Sequence, residues 1–377
     1  MKNKATKVFA AIIAVLTTMA LLAGCQTGGS NEGKTYKIGA TGPLTGGASS
    51  YGISVNNGAA LAVEEINAAG GLNGVKFSFD MKDDEADPEK VASGYDALFD
   101  SGMQISLGSV TSGACNAFGK RAAEDKVFFM TPSASAASVI ATGPNAFRVC
   151  FGDPDQGVLA AEELVKTYSA IGCIYDTSDD YSAGIYEAFA AKMQELGKAF
   201  ETRTFDQDNK TDFSSQVEAL KGCDAIFLPI YYQEAGLIAR ACAGKGLTNI
   251  ALFGCDGLDG VAGEIDATVT NKISYITPFD VNSTEKNVAD FVKNYEKKYN
   301  VKPDQFAADG YDAIYAIFNA MKSAGVNDVN IKAADLCAKI IPAITADSFS
   351  YTGVTGQMSW DATGACEKAP IIVEVER

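Results

Sequence analysis

From Tyr36 onward, short runs of β-branched and aromatic residues alternate with longer stretches of helical periodicity, and this alternation leaves few folds open. Residues 36–41, 75–81, 105–110 and 127–131 read as strands, and 54–69, 88–100 and 114–125 as the helices between them. Strands that return through helices build a mostly parallel sheet covered on both faces. The pattern restarts after 147–155. Helix 156–168, strand 171–176, helix 182–196, strand 200–205, helix 213–220, strand 224–230 and helix 233–243 form a second unit, with a further apolar strand at 250–253. The expected fold class is therefore α/β, with two doubly wound parallel-sheet lobes in series. A chain of 377 residues is long enough to bury both cores.

What such a chain does is narrowed by what it lacks. It contains no histidine, which removes the commonest general base, every Ser-His or Cys-His pair and the commonest transition-metal ligand. A formal net charge of −16 opposes phosphate backbones and anionic lipid, so no nucleic-acid partner is expected. No CxxC pair suggests a metal, and neither GxGxxG nor GxxxxGK[ST] occurs, so no metal and no cofactor are expected.

The first residues read as an export signal. Lys2, Lys4 and Lys7 precede an uncharged stretch from Val8 to Ala23, about 16 residues, which is short of the roughly 20 needed to span a bilayer. It ends in Leu22-Ala23-Gly24-Cys25, which resembles the lipobox of bacterial lipoproteins. That resemblance implies a signal peptide over 1–24 and diacylglycerol on Cys25. Residues 25–35, rich in glycine and polar side chains, would form a flexible tether. The expected location is extracytoplasmic, at the cell surface or in the periplasm, anchored by lipid to the bacterial membrane. Eight further cysteines invite a disulfide reading outside the cytoplasm, yet settings such as Ile171-Gly172-Cys173-Ile174 equally suit free, buried thiols.

In doubly wound sheets, ligands bind beyond the carboxyl ends of the strands, and the loops there (39–51, 109–114, 131–135) are rich in glycine and hydroxyls. The fragments Gly42-Pro43-Leu44-Thr45-Gly46, Leu61-Ala62-Val63-Glu64-Glu65-Ile66-Asn67, Thr131-Pro132-Ser133-Ala134-Ser135, Asp153-Pro154-Asp155-Gln156-Gly157 and Phe253-Gly254-Cys255-Asp256-Gly257 follow one another in order. Together they resemble the branched-chain amino-acid binding proteins of ABC transporters. The resemblance implies two lobes joined by a three-strand hinge with the ligand in the cleft: lobe one from 36–153 and 284–348, lobe two from 154–283 and 349–377. It also implies a monomer that delivers an amino acid to ABC permease membrane subunits, with no catalytic residues.

A zwitterion needs several donors for its carboxylate and an anion for its ammonium, preorganised because buried charge is costly when unpaired. By the resemblance, Ser112 and Ser135 supply hydroxyls, Ser133 supplies backbone groups, Asp256 neutralises the ammonium, and Tyr51, Tyr181 and Tyr231 enclose the ligand. Ser112 also lies just ahead of a predicted helix, whose free N–H groups favour a carboxylate. Capping and turn formation are alternative roles for these serines and for Asp256. Other ligands stay open at this stage, namely an aromatic amino acid, an amide or urea. So do a sensor module on the same fold and an exported hydrolase built on the acidic cluster Asp83, Asp84 and Asp87.

Overall fold

The computed structural model describes residues 33–375. The expected signal peptide, Cys25 and most of the expected tether lie outside the described residues; β1 begins at Thr35. The first sheet has five parallel strands in the order β2-β1-β3-β4-β5: β1 (Thr35–Gly42), β2 (Lys76–Asp83), β3 (Ile105–Ser106), β4 (Phe129–Thr131) and β5 (Ala146–Arg148). Its helices are α1 (Ser49–Ala68), α2 (Pro88–Asp100), α3 (Ser112–Asp125) and the short α4 (Ala137–Ile140). The second unit comprises α5 (Asp153–Thr167), β6 (Ile171–Asp176), α6 (Asp180–Glu195), β7 (Glu201–Phe205), α7 (Ser214–Ala219), β8 (Ala225–Leu228), α8 (Tyr232–Gly244), β9 (Ala251–Gly254) and β10 (Ile273–Thr277). The chain continues through α9 (Lys286–Tyr299), α10 (Gln305–Ser323), α11 (Ala333–Ile344), β11 (Tyr351–Gly353), β12 (Gly356–Trp360), β13 (Cys366–Glu367) and β14 (Ile371–Glu374). The second sheet has the order β14-β10-β9-β8-β6-β7, and only β14 runs antiparallel to its neighbour. The α/β class with parallel-sheet cores in two lobes is thus the observed architecture.

Local chemistry explains the element ends. Asp87 caps α2 through Glu89 N, Asp179 caps α6 through Ser182 N, and Asp304 caps α10 through Ala307 N. Helix α1 starts at Ser49 rather than at the expected 54, because the small residues that read as loop wind directly into its first turn. Helix α10 lies along α1. Their approach is so close that a Cβ at Gly58 would stand 1.9 Å from Ala307 O and one at Gly310 would stand 2.6 Å from Val55 O. This crossing brings Phe306 against Tyr51.

Apolar side chains fill both units, among them Ile38, Val55, Ile105 and Phe128 around the first sheet and Ile185, Phe189, Phe227 and Ile276 around the second. The eight cysteines from Cys115 to Cys366 are all buried and unbridged, in the role of small apolar residues. Of the C-terminal segment assigned by resemblance to lobe two, β14 joins the second sheet. The earlier part of that segment is tied elsewhere: Asp312 of α10 accepts from Val354 N (2.9 Å) and Thr355 N (2.8 Å), and Trp360 Nε1 donates to Arg148 O (2.7 Å).

Candidate ligand-binding site

A narrow cavity is lined by Tyr51, Val110, Thr111, Ser112, Ser133, Tyr181, Tyr231, Asp256, Gly257 and Phe306. Apart from Phe306, in the first turn of α10, these residues come from the carboxyl ends of strands in both sheets, where α/β topology opens crevices. Val110, Thr111 and Ser112 follow β3, Ser133 follows β4, Tyr231 follows β8 and Asp256 follows β9. Tyr181 sits in the first turn of α6 after β6, and Tyr51 in the first turn of α1 after β1.

Of the seven ligand contacts expected from sequence, the structure brings six to this wall. Ser135 is the exception. It is buried, its carbonyl accepts from Arg148 Nη1 (2.7 Å) and Asp153 N (3.1 Å), and it does not line the cavity. The Thr131 hydroxyl, accepting from Ala134 N, tightens the 131–136 turn that carries Ser135 past the cavity. Ser133 also uses its hydroxyl internally, donating to Val110 O at 2.8 Å, which leaves its backbone for a ligand.

Aromatic rings shape the apolar part. Tyr51 stacks on Phe306 with centroids 4.1 Å apart, and Tyr181 stacks on Tyr231 at 5.0 Å. The Tyr51 hydroxyl donates to Gly257 O and accepts from Tyr232 N (3.0 Å), so a residue of α1 is fastened to the second unit across the cavity. Burial raises the Tyr51, Tyr181 and Tyr231 hydroxyls well above their ordinary range, so all three stay neutral.

Among the described residues, Asp256 is the only charged one on the wall. It is buried, and loss of hydration pushes its carboxyl up to about 6, opposed by the hydrogen bond from Tyr181 Oη to Oδ1 at 2.7 Å. The N-terminus of α3 shares the lining with it, and there Ser112 opens the helix and the first N–H groups lack intrahelical acceptors. Thr111 occupies the N-cap position without capping, and its buried Oγ1 has no partner among the described residues. The lining therefore offers donors for a carboxylate, an anion for an ammonium and rings for an apolar side chain.

Sequence reasoning did not select Val110, Thr111, Gly257 or Phe306. Thr111 and Gly257 each adjoin a selected residue, which is the signal that would have found them. Phe306 lies 255 positions from Tyr51, and only the α1–α10 crossing brings them together. The acidic cluster serves the scaffold. Asp83 accepts from Leu44 N (2.8 Å), Thr45 Oγ1 (2.6 Å) and Glu85 N (3.0 Å), Asp84 accepts from Ser109 Oγ (2.5 Å), and Asp87 caps α2.

A family model described as periplasmic binding protein matches residues 35–375. The chain belongs to that family. Membership places the folded part of this periplasmic binding protein outside the cytoplasm, and among the described residues no helix is long and apolar enough to cross a membrane. It is 29% identical over 332 residues, 85% of each chain, to the Leu/Ile/Val-binding protein homolog 1 of Brucella abortus. Among solved structures it resembles the leucine-binding protein LivK of Thermotoga maritima, with a TM-score of 0.80 and 26% identity, covering 90% of this chain and 95% of that one. It also resembles the branched-chain amino acid transporter substrate-binding protein LivJ of Streptococcus pneumoniae in complex with isoleucine, with a TM-score of 0.76 and 27% identity, covering 91% of this chain and all of that one. The family is one of solute-binding proteins.

Proposed function

We propose that this periplasmic binding protein captures an aliphatic, branched-chain L-amino acid in the cavity between its lobes and delivers it to the membrane subunits of an ABC permease. The observation that carries this reading is the single buried carboxylate among the described residues of the wall, Asp256, in a lining shared with the N-terminus of α3 and aromatic rings. The ligand ammonium pairs with Asp256, its carboxylate takes the Ser112 hydroxyl and the free N–H groups of α3, and its side chain lies among Tyr51, Phe306 and Tyr231. A ligand bearing only a carboxylate would leave Asp256 buried and unpaired. The protein works as a monomer without catalysis: Asp83, Asp84 and Asp87 are taken up by loop turns and a helix cap.

Lobe one comprises 36–153 and 284–348 and lobe two 154–283, with β14 completing the second lobe while the segment around 354–360 is bonded to lobe one at Asp312 and Arg148; the Tyr51 bonds to Gly257 and Tyr232 form part of the closed interface. Residues 1–24 direct export, and acylated Cys25 holds the lobes on a short tether at the membrane. Calorimetric titration tests the ligand assignment, using full-length chain unfolded and refolded to strip carried-over ligand. L-leucine, L-isoleucine or L-valine should bind with a saturable heat, and silence from all three while urea or an amide binds would replace the reading.

A further inference from the structure

Asp256 is held at its backbone by two buried glutamines from different parts of the chain. Its N–H donates to Gln156 Oε1 of α5 at 3.0 Å, and its carbonyl accepts from Gln305 Nε2 of α10 at 2.6 Å. Both glutamines are 1% exposed. Gln156 belongs to the same unit as Asp256, whereas Gln305 opens a helix that lies along α1. Two further bonds fix Gln305: its backbone N–H donates to Asp259 Oδ2 at 2.9 Å, and its Oε1 accepts from Thr277 Oγ1 at 2.8 Å at the end of β10. Thr277 Oγ1 itself accepts from Phe279 N at 3.2 Å. Its proton goes to Gln305 Oε1 at 2.8 Å, since the other acceptor in reach, Phe279 O, is 3.5 Å away, and this turns the amide so that Nε2 faces Asp256 O. The next residue, Phe306, lines the cavity and stacks on Tyr51.

We propose that Gln305 is a positioning residue of the ligand site, fixing the carboxylate of Asp256 against the cavity wall that α1 and α10 supply and thereby setting selectivity for an α-amino group. The inference rests on the reading of Asp256 as the ammonium partner. A carboxylate that discriminates by charge-assisted hydrogen bonds must be held within a fraction of an ångström of the ligand nitrogen. The 3-10 turn Asp256–Leu258 closes on itself through Asp259 N to Asp256 O (3.0 Å) and is held at Gly257 by Tyr181 and Tyr51, and the bond from Gln305 adds the tie between the Asp256 backbone and α10. Removing the Gln305 donor leaves the Asp256 carbonyl with Asp259 N alone and detaches it from α10, so the carboxylate is held less closely while the rings and the α3 N-terminus stay in place. The amino group of the ligand is the part whose recognition depends on Gln305.

The test is a double-mutant cycle on the refolded full-length chain, with binding of L-leucine and of isocaproate, its des-amino analogue, measured in wild type, Asp256→Asn, Gln305→Met and the double variant. Gln305→Met keeps the volume and the backbone bond to Asp259. Gln305→Leu, uncharged and without a donor, stands in if the first variant has a lowered thermal midpoint. Gln305→Met should weaken L-leucine about tenfold or more, change isocaproate by less than about twofold, and cost less than about twofold in the Asp256→Asn background. Equal losses for both ligands, or the full loss persisting beside Asp256→Asn, would show a structural residue and overturn the proposal. If Asp256→Asn alone binds L-leucine as wild type does, the ammonium reading itself fails and the positioning role falls with it.

Discussion

Replacing Asp256 by asparagine removes the charge that the site is built around while keeping its shape. The variant retains an acceptor for Tyr181 Oη and both backbone bonds to Gln156 and Gln305. Burial raises the Asp256 carboxyl from an ordinary 3.8 to about 6, which amounts to about 3 kcal/mol of opposition to the charged form. A ligand ammonium must outweigh that opposition to hold the carboxylate ionised, and truncating one partner of such a desolvated pair costs about 2–5 kcal/mol in binding. The expected loss of affinity is therefore roughly 30-fold to several-thousand-fold. In the ligand-free protein the sign reverses. Deleting a buried charge that nothing neutralises should leave the thermal midpoint at pH 8 unchanged or higher. Calorimetry with L-leucine and a thermal melt of the same refolded sample measure both. A loss of less than tenfold in a properly folded variant would return Asp256 to a turn role.

Three further outcomes follow from the same geometry. Because ligand binding must expel the proton that Asp256 keeps below about 6, affinity should rise between pH 4.5 and about 6 and level off above it, by at most about tenfold per pH unit; calorimetry at stepped pH would find no slope if Asp256 were outside the site, and Asp256→Asn should abolish the slope. Since contacts come from both lobes, small-angle scattering should give a smaller radius of gyration with ligand, and ligand at a hundred times its dissociation constant should add about 2.7 kcal/mol of stability; stabilisation without compaction would place the cleft already closed or the site within one lobe. Cys25→Ser should move the protein from the membrane fraction to the soluble one, and unchanged membrane association would defeat lipid anchoring.

How much the amino-acid sequence reveals depends on how local the cause is. Alternating strands and helices were legible because each side chain reports its own periodicity, and the loops at the strand ends stood out because glycine and hydroxyl residues concentrate there. Ser112, Ser133, Tyr181 and Asp256 reach the cavity from such loops or from the helix turns that follow them. Ser135 shows the limit of that approach: two residues beyond Ser133, it is directed instead toward Arg148 and Asp153 by hydrogen bonds whose partners lie more than ten positions away. Phe306 and Gln305 were invisible for the opposite reason. Their place in the site follows from α10 crossing α1 at Gly58 and Gly310, an approach that no local pattern announces.

The most direct measurement compares L-leucine with isocaproate and isoamylamine, which lack its amino group and its carboxylate respectively, on the same refolded full-length chain. A site that reads both ends of a zwitterion should bind L-leucine at least about a hundredfold tighter than either, because each analogue leaves a buried group of the protein unpaired. Equal affinity for L-leucine and isocaproate would contradict the account, because the buried carboxylate of Asp256 would then have no part in recognition.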